Sequence, residues 1–146
     1  MYGRPFSTDI MKRHLEYQFE LPLKVRDYEV DSQGIVNNAI YLHYLEHTRH
    51  EFCLHAGTTF RDMQARGIDP VLRKVDIEYL TPLGLGDTMI SKLSMERKGA
   101  QFIFHQDIFR LPDGQPVVTA DVSVVCLEYG RLTRGDVLAE AFADYL

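Results

Sequence analysis

The chain has 146 residues, of which 45% are hydrophobic and 25% are charged, and its formal net charge is -5 at pH 7. This length predicts one domain spanning residues 1–146, and this balance is typical of a globular protein with a real hydrophobic core. The acidic charge and the lack of clustered Lys and Arg argue against a nucleic-acid partner. No apolar run approaches the roughly 20 residues that a membrane-spanning helix needs.

The N-terminal segment and the two cysteines indicate in which cellular compartment the protein is expected. The segment from Met1 to His14 lacks the apolar centre of a secretory signal, so a cytoplasmic location is expected. Cys53 and Cys126 lie far apart in apolar surroundings, and two thiols do not make a disulfide framework. We therefore expect both thiols to be reduced and buried.

The first third of the chain predicts a strand that ends in a turn. Residues 1–16 show no steady period and are expected to form a loose N-terminal segment. From Tyr17 the residues alternate between apolar and polar as far as Val25, which is the period of a strand. The phase slips at Asp27, where we expect a bulge or the strand end. The next segment, Asp31-Ser32-Gln33-Gly34, is typical of a turn.

A helix is predicted from Ile40 to about His55, with Gly57 at its C-terminal end. Either Asn37 or Asn38 is expected to cap its first turn. The apolar positions at helical spacing predict one buried stripe on this helix. The stripe consists of Tyr41, Leu45, Thr48 and Phe52.

Two polar patterns on the same helix have structural and functional interpretations. Glu46 and Arg49 stand three residues apart, which predicts an ion pair, with a catalytic role for Glu46 as the second choice. His43, His47 and His50 share the opposite face and resemble a metal-binding row. A closed site needs a fourth ligand, so we expect these to be surface or interface histidines and predict no metal.

The remainder of the chain reads mostly as strands. Residues 58–70 are expected to form a loop or a short helix. Strands follow, separated by turns at residues 81–87, Lys98-Gly99 and Asp113-Gly114, and residues 133–146 predict a C-terminal helix. We interpret the strands after the helix as an antiparallel meander of about four. The predicted class is α+β, with about five strands and one central helix.

The turn and the helix start together favour acyl-transfer chemistry. Asp31 is a carboxylate a few residues before a helix N-terminus, where free N–H groups can hold a carbonyl oxygen. A carboxylate there can attack the carbonyl or activate water against it. The alternative is that Asp31 only caps its own turn and that the two asparagines only cap the helix. Glu29 is interpreted as a strand-end charge near the site.

These residues resemble the hotdog-fold thioesterases of the 4-hydroxybenzoyl-CoA thioesterase type. One patch is the Asp-x-x-Gly-x-Val turn that begins at Asp31, followed by the Tyr-x-x-Tyr-x-Glu-x-x-Arg helix that begins at Tyr41. The second patch, residues 79–87, looks like the strand break of that family. The resemblance covers the chain from about Tyr17 to Glu128 and is more specific to the family than to a substrate.

The resemblance implies a hotdog fold whose sheet wraps around the helix and pairs with a second copy, as a homodimer or a dimer of dimers. It implies an acyl-CoA thioesterase without metal or organic cofactor, in which Asp31 supplies the carboxylate and the backbone N–H of Asn38 polarises the carbonyl. Asn37 and Tyr41 are expected to contact the substrate. Arg97 and Lys98 are candidates for the CoA phosphates, ahead of Arg73 and Lys74.

Two alternatives to this function stay open. One is a thioesterase acting on acyl carrier protein, and the other is a non-catalytic acyl-CoA-binding hotdog domain. A dehydratase is disfavoured, because the His-Phe-Pro-Gly helix entry typical of such enzymes is absent from the sequence.

Overall fold

A computed structural model describes residues 16–146, so the prediction for the N-terminal segment falls on residues outside the described part of the chain. Five long strands form one antiparallel sheet in the order β1-β3-β4-β5-β2, and a short β6 pairs with β5. The strands are β1 (Phe19–Lys24), β2 (Ile68–Tyr79), β3 (Thr88–Lys98), β4 (Gln101–Leu111), β5 (Pro116–Glu128) and β6 (Arg131–Leu132). The helices are α1 (Asn38–His55), α2 (Phe60–Ala65) and α3 (Asp136–Ala141), with 3-10 turns at Asp27–Glu29 and Ala143–Tyr145.

The hydrophobic core lies between α1 and one face of the curled sheet. The predicted stripe is confirmed, since Tyr41, Leu45, Thr48 and Phe52 are all buried. The facing strands alternate in burial, as a sheet with one covered face must. On the middle strand β4, for example, the buried positions on this face are Phe102, Phe104, Gln106 and Ile108. This arrangement is the predicted hotdog fold, a sheet wrapped around one central helix.

The predicted four-strand meander is wrong in one respect. β3, β4 and β5 do follow one another as antiparallel neighbours, but β2 pairs with β5 and is not next to β3. The turn at residues 81–87 therefore carries the chain across the sheet rather than into a hairpin. As a result β2 and β1 form the two edges, and the 12-residue β2 is the longer one.

The boundaries of the other elements agree with the sequence pattern. α1 begins at Asn38 with Asn37 as its cap, α2 and α3 fall inside the segments predicted for them, and the strand break after β1 is the 3-10 turn at Asp27–Glu29. Both cysteines are buried and free, as expected. Among the helices of residues 16–146, none has the length and apolar character to cross a bilayer.

Candidate active site

The loop between the 3-10 turn and α1 is closed by main-chain hydrogen bonds. The N–H of Asp31 donates to the carbonyl of Ile35 at 2.8 Å, and the N–H of Gly34 donates to the carbonyl of Asp31 at 3.0 Å. Gly34 has a φ of 79°, a left-handed conformation that side chains other than glycine rarely adopt. Val30 and Val36 form an isolated antiparallel bridge at the base of the loop. The loop is therefore a fixed turn that carries Asp31 at its start.

The carboxylate of Asp31 is oriented by its own turn. Its Oδ1 accepts hydrogen bonds from the N–H of Gln33 at 2.8 Å and, more weakly, from the N–H of Ile35 at 3.4 Å. The residue is exposed, and within residues 16–146 its Oδ2 has no hydrogen-bond partner. The turn-capping interpretation of Asp31 thus describes one oxygen, while the second points away from these bonds and stays open to a ligand.

The start of α1 lies on the other side of the same loop. The Oδ1 of Asn37 accepts a hydrogen bond from the N–H of Ala39 at 2.9 Å, which confirms Asn37 as the N-cap. The N–H of Asn38 is the first of the helix and has no partner among the described residues. Asn37 and Asn38 are both exposed. A free amide at a helix N-terminus can polarise a carbonyl or hold an oxyanion.

Aromatic side chains hold the helix start against the sheet. Tyr41 is buried, and its hydroxyl accepts a hydrogen bond from the N–H of Leu83 at 3.1 Å. Its ring also packs edge-on against that of Tyr79, with centroids 5.6 Å apart. The structure therefore places Tyr41, predicted to contact substrate, in the buried layer between α1 and the segments at Tyr79 and Leu83.

A buried carboxylate lies just before the loop, and the sequence interpretation missed it. Glu29 is only 5% exposed, so it is not a surface strand-end charge. Its Oε1 accepts hydrogen bonds from the N–H of Arg26 at 2.7 Å and from the hydroxyl of Tyr44 at 2.9 Å. Burial, and then the bond to Glu29, raise the pKa of Tyr44, so this hydroxyl stays protonated. The phase slip at Asp27 marks the break in the strand, but the sequence holds no local signal that Glu29 is bonded to Tyr44, fifteen residues away.

A cavity of about 310 Å³ opens between the 3-10 turn and α1. Glu29 and Tyr44 line it, together with apolar Leu23 and Ile40 and the ring of the exposed Tyr28. The cavity is lined by residues of the 3-10 turn and of α1, the two elements that flank the Asp31 loop.

The alternative carboxylate, Glu46, lies at a different cavity, of about 350 Å³, which Arg49 and His50 also line. Glu46 and Arg49 do not form the predicted ion pair by direct contact, although burial lowers the pKa of Arg49 and the charge of Glu46 opposes that shift. Glu46 instead pairs with His50 at 3.7 Å, and the guanidinium of Arg49 donates to the Oε1 of Gln106 at 3.1 Å. Arg49 leans toward the sheet because Gln106, which is fully buried, offers it an acceptor there.

The remaining candidates lie apart from the Asp31 loop. His43, His47 and His50 are exposed, and residues 16–146 contain no group of three His, Cys, Asp or Glu side chains arranged to hold a metal ion. Arg97 donates to Asp136 at 2.6 Å, and Lys98 pairs with Glu96 at 3.5 Å. Both stand at the far end of β3, roughly 33 Å from its start near the loop.

The family comparison matches almost all of the described chain. The model of the Thioesterase-like superfamily matches residues 25–144. The chain is 36% identical over 110 residues to the acyl-acyl carrier protein thioesterase ATL3 of Arabidopsis thaliana, covering 75% of this chain but only 58% of that protein. It is 35% identical over 107 residues to the long-chain acyl-CoA thioesterase FadM of Escherichia coli, covering 73% of this chain and 80% of FadM.

A solved structure gives the same result for the fold. The crystal structure of YbaW, a probable thioesterase from Escherichia coli, superposes with a TM-score of 0.76 at 28% identity, over 86% of this chain and 97% of that one. The architecture described above is thus that of this solved structure.

Proposed function

The chain belongs to the thioesterase-like superfamily, and on that premise we propose that it hydrolyses the thioester of an acyl-CoA to a free acid and CoA. The observation that carries the proposal is the fixed turn, which has the Asp31 carboxylate at its start and leads directly into helix α1, whose first N–H, that of Asn38, has no partner among residues 16–146. The similarity to FadM, an acyl-CoA thioesterase, supports the choice of donor.

In the proposed reaction the thioester carbonyl oxygen lies against the N–H of Asn38. The free Oδ2 of Asp31 either attacks the carbonyl carbon, expelling CoA thiolate and leaving an anhydride that water cleaves, or removes a proton from the attacking water. Both routes build negative charge on the carbonyl oxygen, and the amide at the helix N-terminus stabilises that charge by roughly 3 kcal/mol when it is preorganised. Neither route calls for a metal or an organic cofactor.

The carboxylate is tested by Asp31→Asn, which keeps the turn-capping Oδ1 and removes the charge. We expect kcat for a good acyl-CoA, measured by thiol release, to fall by about 100-fold or more. The melting temperature should not change. Glu46→Gln is the matched control, because it removes the alternative carboxylate from the same chain. Full activity in Asp31→Asn together with loss in Glu46→Gln would move the chemistry to the helix.

An acyl carrier protein donor is the second candidate, and the similarity to ATL3 favours it. Rates on acyl-CoA and on acyl carrier protein loaded with the same acyl chain separate the two. A non-catalytic domain would bind acyl-CoA without releasing thiol, which the same assay detects.

We also propose that the active unit is at least a homodimer, joined along the free edge of β2. Among residues 16–146 this strand pairs on one side only, and it exposes Leu72, of which 53% is accessible. Its last residue, Tyr79, donates a hydrogen bond to the carbonyl of Asn38, so a strand added to this edge lies next to the helix start. The predicted contact of Arg97 and Lys98 with CoA phosphates depends on such a second copy.

Light scattering on Leu72→Asp tests the dimer. A charge at this edge position is expected to give monomers that have lost most of their activity, whereas Leu54→Asp, on the exposed face of α1, keeps the size of the wild type. A wild-type monomer with full activity would contradict the proposal. A cytoplasmic location stays a prediction, tested by fractionating cells that produce the chain.

A further inference from the structure

We propose that Glu29 and Tyr44 act as a positioning pair, which sets the Asp31 turn at its working distance from the N–H of Asn38. The inference rests on the proposed function, because it assigns work to residues around Asp31. It concerns groups that neither touch the reacting atoms nor belong to the predicted site.

Glu29 precedes the loop in the chain and is hydrogen-bonded to the residue at the loop's other end. Its main-chain carbonyl accepts a hydrogen bond from the N–H of Asn37, the residue next to Asn38, at 3.3 Å. Two residues after Glu29 the chain reaches Asp31, and the Val30–Val36 bridge lies between. The position of the Glu29 backbone therefore fixes one side of the gap between the carboxylate and the amide.

The side chain of Glu29 in turn anchors that backbone to the helix. Its Oε1 joins the N–H of Arg26 to the hydroxyl of Tyr44, and its Oε2 lies 3.6 Å from the Arg26 guanidinium. Tyr44 belongs to the buried face of α1, where its ring packs edge-on against Tyr41 at 6.0 Å. The turn is thus fastened to α1 at two points, through the Asn37 amide and through the Tyr44 hydroxyl.

Two bonds at different places on one helix restrain rotation as well as distance. The Asn37 bond alone fastens the turn to α1 at a single point, and its 3.3 Å is at the long end for an N–H donor. The bond to Tyr44 is shorter and ends on a carboxylate, which makes it the stronger of the two. A displacement of about 1 Å at a reacting group can lower a rate by about 100-fold, so a loosened turn is expected to affect turnover.

The decisive variant is Tyr44→Phe, which keeps the buried ring and removes only the hydroxyl. We expect kcat for an acyl-CoA to fall by about tenfold with KM within twofold of the wild type. Glu29→Ala is expected to fall at least as far, and Glu29→Gln, which keeps an acceptor for both donors, to recover most of the rate. In the double variant Tyr44→Phe/Glu29→Ala the losses should not add, because both changes break the same contact.

Ser91→Ala is the matched control. This change removes another fully buried hydroxyl, which lies on β3 and is hydrogen-bonded at 2.7 Å to Thr48 of α1, away from the loop. It should lower the melting temperature without changing kcat. If Tyr44→Phe lost stability but kept kcat, like Ser91→Ala, the positioning role would be refuted. A rise in KM at constant kcat would also refute it, since Glu29 and Tyr44 would then be substrate contacts in the cavity they line. Asp31→Asn distinguishes a failure of the positioning role from a failure of the proposed function. Asp31→Asn stays fully active only if the proposed function is wrong.

Discussion

The hydroxyl of Tyr79, the last residue of β2, donates a 3.1 Å hydrogen bond to the main-chain carbonyl of Asn38, the first residue of α1. This bond ties the edge strand to the helix start. The carbonyl of Asn38 belongs to a different peptide plane from its N–H, so the bond holds the helix without orienting the amide directly. Tyr79 is therefore a structural contact close to the proposed oxyanion site.

Tyr79→Phe should lower the free energy of unfolding by about 1 kcal/mol, the usual contribution of one hydrogen bond. Because the Asn38 N–H is untouched, kcat should stay within about twofold of the wild type. Urea unfolding and thiol release measure the two quantities. A loss of turnover much larger than the loss of stability would show that Tyr79 orients the amide after all.

Asn37 allows the cap and the chemistry to be separated. Asn37→Ala removes the acceptor for the N–H of Ala39 and should cost about 1 kcal/mol of stability. Asn37→Asp keeps the cap and adds a charge that the helix N-terminus favours, so stability should be retained or rise. The same negative charge opposes the developing oxyanion at Asn38, so kcat should fall more in Asn37→Asp than in Asn37→Ala. The reverse order of kcat would remove the oxyanion from this helix end.

Much of this site follows from local sequence. The turn residues around Asp31 and the capping asparagine form hydrogen bonds with residues two to four positions away, so a few consecutive residues determine their conformations. The inward orientation of Glu29 depends on Tyr44, fifteen residues away, and spacing alone does not indicate it. Likewise the partner of Arg49 is Gln106 on β4, a contact that only the packing of α1 on the sheet creates.

The order of the strands was the least predictable part of the fold. Each strand has its own alternation and its own turn, which local patterns reveal, but pairing is a choice between distant segments. The pairing of β2 with β5 includes a register shift between Leu72 and Lys74, which places Arg73 in a bulge. The alternation through Arg73 suggests an uninterrupted strand, so the pattern conceals the irregularity.

The outer face of the sheet carries a pH-dependent contact. The ring of His105 lies between two carboxylates, with Nε2 3.0 Å from Glu96 and Nδ1 2.7 Å from Asp121. The hydrogen bond from His105 is the main reason that the pKa of Glu96 lies below its ordinary value of 4.5. A carboxyl group whose pKa is lowered in the folded state stabilises the fold at pH values above its ordinary pKa. This contribution is lost as the pH falls through the lowered pKa.

Glu96→Gln should therefore melt below the wild type at pH 7, and the difference should shrink toward zero below about pH 4. Glu140→Gln, which changes an exposed glutamate without an ion pair in the described chain, should differ little from the wild type at either pH. Thermal melts across this range measure both. A difference for Glu96→Gln that is constant with pH would mean that the side chain acts by packing alone.

The thiols should be silent in the folded protein. Burial raises the pKa of Cys53 to about 12, and burial also raises that of Cys126. Because the thiolate is the reactive form, we expect a thiol-reactive dye to label neither residue in the native state within minutes and both after denaturation. Native labelling at either cysteine would contradict the packing described for α1 or β5. Silent thiols also mean that dye released in a thioesterase assay reports CoA alone.

The N–H of Asn38 can be removed without breaking the helix. Proline is well tolerated at the first helical position, where its missing N–H has no partner inside the helix, and the residue before it must be extended. Asn37 has φ -62° and ψ 140°, which suits a following proline. Asn38→Pro should therefore keep the melting temperature within a few degrees while kcat falls by about 100-fold, the usual effect of losing one oxyanion donor. Asn38→Ala keeps the N–H and should keep the rate, so equal activity in the two variants would exclude this amide from the chemistry.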